Sequence, residues 1–354
     1  MRAFTCDHCG QLLFFENSLC LRCSSRLGFA PSRLDIIALD EPGAPPLQPC
    51  GNSVLAQCNW MLEQGDPDMR PQPDGRIEPA TGGPLCRSCR LTRTRPADND
   101  RDGLAAFATA EAAKRRLIFG LLDLDLPIGD DLAFDLLSSR VAPVVTGHDD
   151  GVITIDLAES DDVRRERRRA ELGEPYRTML GHFRHEIGHY YWPMLVERTD
   201  QLERARVLFG DDQIDYDSAM QRHYEEGPPP DWRERHVSAY ATMHPWEDWA
   251  ETFAHYLHIR DTLETAAAFG LVISGPDDSL SSAPAPDGAE RPFEAIVGDW
   301  LPLTYALNAL NRSMGQDDLY PFTLAPTVIE KLAFVHDRVR AASRQARAPL
   351  SSSP

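Results

Sequence analysis

The chain is 354 residues long, 42% hydrophobic and 26% charged, ordinary proportions for a soluble protein with at least one sizeable core. A formal net charge of −19 argues against a nucleic-acid partner, because phosphate binding needs a basic face. The chain opens with no charged-then-apolar leader and holds no apolar run of the roughly 20 residues that cross a bilayer, so a cytoplasmic protein with no membrane partner is expected.

All eight cysteines precede residue 90, and in a cytoplasmic chain they are expected as thiolate ligands, not disulfides. Residues 1–40 carry Cys6-x-x-Cys9 and Cys20-x-x-Cys23 on either side of a short apolar stretch suited to a hairpin. This is a tetrathiolate zinc pattern, and Gly10 stands after Cys9, where the backbone turns left-handed near the sulfurs. Four thiolates leave no open position, so such a site holds the fold and catalyses nothing. Two stretches rich in Pro and Gly, 41–49 and 65–84, are expected to lack regular structure. They bracket Cys50, Cys58, Cys86 and Cys89, which have only one CxxC between them. A second closed zinc site is expected there; ligands interleaved with the first set, or free thiols, are the alternatives. A segment with so little core would draw much of its folding free energy from zinc. Residues 1–95 therefore read as a small zinc-ribbon module with two four-cysteine sets.

From about residue 104 the composition turns helical, with Leu117, Phe119, Leu121 and Leu122 as apolar positions. Two strands, 141–147 and 152–157, are predicted around a turn at Asp150-Gly151. The basic run 163–171 follows acidic residues directly and reads as a solvated helix face. Helices are predicted near 200–209, 213–224, 245–269, 293–312 and 326–344, with a loop at 274–288 and a disordered tail at 346–354.

Between them lies "LGHFRHEIGHYYWP", residues 180–193, with Leu180, Phe183, Ile187 and Met194 at helical spacing. His185-Glu186-Ile187-Gly188-His189 is HExxH, whose two histidines project from one helix face a turn apart. Two imidazoles so placed suit one Zn²⁺, and Glu186, beside the first of them, suits a general base. A catalytic zinc needs a third protein ligand. The helix from Pro245 offers Glu247, Glu251 and His255 on one face, with Asp248 a turn before Glu251. Glu251, mid-helix among aromatic residues, is the expected third ligand, because an unpaired carboxylate there would be costly. Glu247, Asp248 or His255 would then orient a ligand histidine, with His255 as the alternative ligand. His182 shares the HExxH stripe, as an orienting group, a core histidine or an exposed one. Tyr190, Tyr191, Tyr240, His236 and His244 are candidates for stabilising an oxyanion. The strand at 152–157 offers an edge to which an extended substrate could add.

The stretches "FTCDHCGQLLFFENSLCLRC", "EPYRTMLGHFRHEIGHYYW", "FGDDQIDY" and "HPWEDWAETFAHYLHI" resemble the bacterial zinc-binding metallopeptidase family with an N-terminal zinc-ribbon domain. The resemblance runs from residue 4 to about 270. It implies an α+β fold, with a mainly helical zincin-like domain at 100–345 behind the ribbon module, and His185, His189 and Glu251 as ligands with Glu186 as base. One departure stands out. In thermolysin-like enzymes an Asp four residues beyond the Glu ligand supports a ligand histidine, and four beyond Glu251 stands His255. The expected function is hydrolysis of a protein or peptide substrate, with one catalytic and two structural zinc ions and the ribbon as a candidate surface for a protein partner. The alternatives are an interaction protein whose HExxH helix is only structural, and a zinc hydrolase acting on a non-peptide amide.

Overall fold

A computed structural model describes residues 2–40, 47–63, 83–140, 143–160, 178–275, 277–285 and 291–347. They divide into two compact units, one of residues 2–123 and 128–160 with 178–183, the other of 124–127 and 184–347.

The first unit starts with three two-stranded antiparallel ribbons: β1 Phe4–Thr5 with β2 Leu12–Leu13, β3 Leu27–Ala30 with β4 Asp35–Ala38, and β5 Leu47–Pro49 with β6 Met61–Glu63. Leu47–Pro49 belongs to a stretch expected to be irregular. A proline is tolerated in a two-stranded ribbon because each strand there has an unpaired edge. Each CxxC of the first set closes as a tight turn, with the Gly10 N–H donating to the Cys6 carbonyl at 2.7 Å and the Ser24 N–H to that of Cys20 at 2.8 Å. Both turns need a left-handed residue, at Gly10 (φ +70°) and at Ser24 (φ +61°). Beneath the ribbons lies an aromatic core in which Phe29 packs 5.1 Å from Phe15, 4.8 Å from Trp60 and 5.7 Å from Phe119, centroid to centroid. Phe119 comes from helix α1, Arg101–Asp123.

The unit also holds a four-stranded sheet of β7 Thr92–Thr94, β8 Ala133–Leu137, β9 Gly147–Asp149 and β10 Val152–Asp156, in the order β7-β8-β10-β9. Asp150 (φ +43°) and Gly151 (φ +83°) form the β9–β10 turn, both left-handed as a two-residue type I′ hairpin requires. The strand before that turn shares only Gly147 with the expected 141–147; residues 143–146, beginning at Pro143, which has no N–H for a ladder, are not in a strand. β8 is additional to the predicted strands. It pairs with β10 in parallel along Val152–Asp156, while β9 covers the other side of Val152–Thr154. The strand read as an exposed edge is therefore flanked on both sides.

The second unit is helical. Helix α2, Met179–Trp192, enters it at Arg184 and is ended by Pro193, which opens a single π turn, Pro193–Glu197. There follow α3 Leu202–Phe209, α4 Tyr216–Glu226, α5 Pro245–Ala268, α6 Phe293–Ser313 and α7 Pro326–Arg347. Both ends of each lie close to the predicted span. Asp215 caps α4 by accepting the Ser218 N–H at 2.9 Å, and α5 begins with Pro245 at its first position, where the missing N–H costs nothing. α5 packs against α3, α6 and α7 and is buried along most of its length, with Trp249, Phe253 and Tyr256 fully enclosed. Trp249 meets Phe334 of α7 edge-on at 6.2 Å. No helix among the described residues is long and apolar enough to cross a membrane. The basic run at 163–171, residues 65–82, part of the 274–288 loop and the tail from 348 lie outside the described residues.

Candidate metal centres

The sulfurs of Cys6, Cys9, Cys20 and Cys23 gather within 4.8 Å of one another, as do those of Cys50, Cys58, Cys86 and Cys89. The sets are separate, not interleaved. In the second, Cys50 Sγ accepts the N–H of Asn52 at 3.5 Å and of Cys86 at 3.3 Å, and Cys86 Sγ that of Cys89 at 3.5 Å. Backbone amides aimed at sulfur favour the thiolate form. Burial opposes it, and pushes the Cys86 thiol well above its usual range. Four enclosed sulfurs with those amides around them fit a thiophilic cation in their midst. From α1, buried Arg115 donates to the Ala56 carbonyl at 3.2 Å, two residues before Cys58. Burial works to lower the pKa of Arg115, but Cys58, Cys89 and other neighbouring negative groups outweigh it. Glu111 accepts the Cys89 thiol at 3.7 Å and pairs with buried Lys114 at 2.6 Å.

The third group lies where α2 and α5 touch. His185 and His189, a turn apart on α2, stand with Nε2 atoms 3.2 Å from each other. Glu247, the third residue of α5, places Oε2 2.9 Å from His185 Nε2 and Oε1 3.3 Å from His189 Nε2. Two imidazole nitrogens and one carboxylate oxygen, all within 4.8 Å of one another, make a donor set suited to a catalytic zinc. Gly188 sets the helix separation: a Cβ there would come within 2.9 Å of Ala250 Cα and 3.2 Å of its carbonyl oxygen. Trp249 Nε1–H donates to the Gly188 carbonyl at 2.8 Å and locks the register of the pair.

The residue beside both Nε2 atoms is thus Glu247, where Glu251 was the expected third ligand. Glu251 stands outside this group of three and instead reaches the other ring nitrogen, Nδ1 of His185, at 2.8 Å. Its second oxygen accepts the Ser238 hydroxyl at 2.6 Å. With α5 docked at Ala250, the turn containing Glu247 lies over both Nε2 atoms and the next turn passes behind His185. Burial raises the Glu251 pKa, yet the His185 hydrogen bond and the charges around it bring it down to about 2. Burial likewise disfavours a charged His185, but the hydrogen bonds it donates to Glu247 and Glu251 hold its pKa well above the ordinary value. The pocket thus stabilises positive charge at the meeting point of these groups, as a dication site must.

The remaining candidates separate. Glu186 is buried; burial of the Tyr216 and Tyr240 phenols raises their pKa values, and the charges of Glu247 and, less, Glu186 add to it. The Tyr240 ring lies 5.9 Å from that of His185, beside the three gathered side chains. Asp248 faces away and pairs with Lys331 of α7 at 2.5 Å; burial raises its pKa to about 7 against the pull of that lysine. His236 lies 3.6 Å from the same carboxylate. His255 bonds the Tyr320 hydroxyl at 2.7 Å through Nδ1 and packs on Phe322, two turns past Glu247, apart from the gathered donors. His244 has both nitrogens occupied, capping the Trp246 N–H at 3.1 Å and bonding the Ile214 carbonyl at 3.0 Å. Tyr190 is buried against Tyr191, whose hydroxyl donates to the Pro127 carbonyl at 3.0 Å. His182 pairs with buried Glu159 in the first unit. Two contributors are absent from the residues expected on sequence: Ser238, and Tyr216, whose hydroxyl donates to Glu247 Oε1 at 2.8 Å. Neither stands in a spacing pattern, although Tyr216 closes the "FGDDQIDY" stretch.

A helical domain whose HExxH helix meets a carboxylate from a second helix, preceded by two tetrathiolate groups, defines a zinc-ribbon protein of the metallopeptidase class. Residues 103–338 match the family described as "Putative zinc-binding metallo-peptidase" and residues 3–100 match a zinc-ribbon domain family. The chain belongs to that metallopeptidase family, as the sequence resemblance implied. Three relatives described as uncharacterized proteins, one from Mycobacterium bovis and two from strains of Mycobacterium tuberculosis, are each 51% identical over 350 residues, covering 95% of this chain and 94% of theirs. No solved structure matches.

Proposed function

We propose that the protein is a zinc-dependent metallopeptidase in which His185, His189 and Glu247 hold the metal and Glu186 is the general base. The observation that carries this reading is the convergence of two Nε2 atoms and a Glu247 oxygen, with Glu251 on the far nitrogen of His185. Zinc bound there supplies Lewis-acid chemistry, polarising a carbonyl and making water acidic enough to lose a proton near neutral pH. Glu186 takes that proton and returns it to the leaving amine. Glu251 and Ser238 fix His185 in the tautomer that keeps the Nε2 lone pair free. With Glu247 as ligand, the residue four further on is a carboxylate, Glu251, so the spacing of thermolysin-like enzymes returns one turn earlier than expected. The two tetrathiolate groups serve as closed structural sites, for three zinc ions per chain. Eight cysteines gathered as two sets of zinc ligands suit a reducing, cytoplasmic location.

The test is metal content and peptide hydrolysis together. Glu186→Gln should keep three zincs and lose about 10²–10⁴-fold in kcat. Glu247→Ala should lose one zinc. Undiminished hydrolysis by Glu186→Gln would sink the mechanism, and full zinc in Glu247→Ala the ligand assignment.

A further inference from the structure

Tyr216 is the first residue of α4, on an element that supplies none of the three ligands. The loop before it is tied down by His244, whose Nε2 bonds the Ile214 carbonyl at 3.0 Å two residues upstream. The same histidine caps α5, so one side chain fixes both the start of α5 and the approach to α4. The Tyr216 ring then packs 5.3 Å from His244 and 6.3 Å from Trp246. Held on these sides, its hydroxyl ends 2.8 Å from Glu247 Oε1. Tyr240, whose ring lies 5.9 Å from that of His185, hydrogen-bonds Tyr216 in turn.

The terminal torsion of a glutamate is two-fold, so either carboxylate oxygen can be presented to a metal. Here Oε2 lies 2.9 Å from His185 Nε2, while Oε1, 3.3 Å from His189 Nε2, receives the phenol at 2.8 Å. We propose that Tyr216 is a positioning residue of the metal centre: its hydroxyl fixes the rotation of the Glu247 carboxylate, so that Oε2 is the ligand oxygen, and His244 holds Tyr216 in place. This rests on the assignment of Glu247 as ligand. It adds a third element, α4, to a centre otherwise built from α2 and α5.

Tyr216→Phe removes only the hydroxyl. In full-length protein, titrated with Zn²⁺ against a chromophoric chelator, it should weaken one of three zincs by about 10–100-fold and leave the other two unchanged. The electronic spectrum of Co²⁺ loaded into the weakened site should shift, and the melting temperature of the metal-free protein should not. Wild-type affinity and spectrum in Tyr216→Phe, with a zinc lost from Glu247→Ala, overturns this inference alone. Zinc retained by Glu247→Ala overturns the ligand assignment beneath it. A Tyr216→Phe protein that weakens all three zincs, or melts lower without metal, makes the tyrosine merely structural and also overturns the inference.

Discussion

His185 faces a carboxylate at each ring nitrogen, Glu251 at Nδ1 and Glu247 at Nε2; with Nδ1–H donating to Glu251, Nε2 would be the nitrogen left to a metal. A different histidine shows the opposite use of burial. His336 on α7 accepts the Tyr256 hydroxyl at 3.1 Å through Nδ1 and donates from Nε2 to the Arg291 carbonyl at 2.9 Å. Burial lowers its pKa from 6.5 to about 4, which keeps the ring neutral and Nδ1 an acceptor. With the folded pKa below the unfolded one, the unfolded chain binds the proton first as pH falls. The contribution is present above pH 6.5 and is lost toward pH 4, on the order of 1–3 kcal/mol in all. Urea titrations at about pH 7 and about pH 5 should show that His336→Gln loses less stability between those values than wild type; an equal loss in both would refute the assignment. At this scale the sequence is informative where residues are local to one another. His185, Glu186 and His189 can be read from one helical turn. Tyr216 and Ser238 cannot, because single hydroxyls reaching across 31 and 13 residues leave no periodic trace.

Helix spans are the most legible feature, since apolar periodicity and Pro245 are local signals. What periodicity does not contain is the phase of one helix against another. Glu247, Glu251 and His255 repeat every four residues, so all three present equally good candidates along one stripe of α5. Which of them lies beside both imidazole Nε2 atoms is set by Gly188, Ala250 and the Trp249–Gly188 hydrogen bond, and the proposed assignment of Glu247 follows from that register. Gly188→Ala should therefore act on both stability and metal. The added methyl must displace Ala250 backbone, costing about 1–3 kcal/mol and moving Glu247 away from both imidazoles. Thermal melts and zinc titration are the measurements, and a variant matching wild type in both would show that this contact does not hold the register. The sheet is less legible, because β8 and β10 pair in parallel, Ala133 with Val152 and Leu137 with Asp156, beyond the reach of hairpin logic.

Composition places a boundary at 95–100, and the two family matches meet between residues 100 and 103. Compactness groups the chain otherwise, because α1 gives Phe119 to the aromatic core under the ribbons and Arg115 and Glu111 to the second thiolate group. A chelator that strips all zinc should thus affect the units unequally. Hydrogen exchange should lose protection in β1 to β6, whose strands are two to four residues long, while α5 and α7 keep theirs through Trp249, Phe253 and Phe334. Protection lost equally in both would count against zinc as the support of the ribbon. The sites also differ in how much chain each must gather. Cys6 and Cys23 are 17 residues apart, Cys50 and Cys86 36, and His185 and Glu247 62. The closure entropy separating the shortest of these spans from the longest is only about 1 kcal/mol, so distance along the chain hardly decides affinity. It decides timing. A ribosome has delivered both thiolate sets before His185 is made, and Glu247 emerges later still. In a zinc-starved cell, then, new chains would complete the two cysteine sets first and the proposed His185–His189–Glu247 centre last.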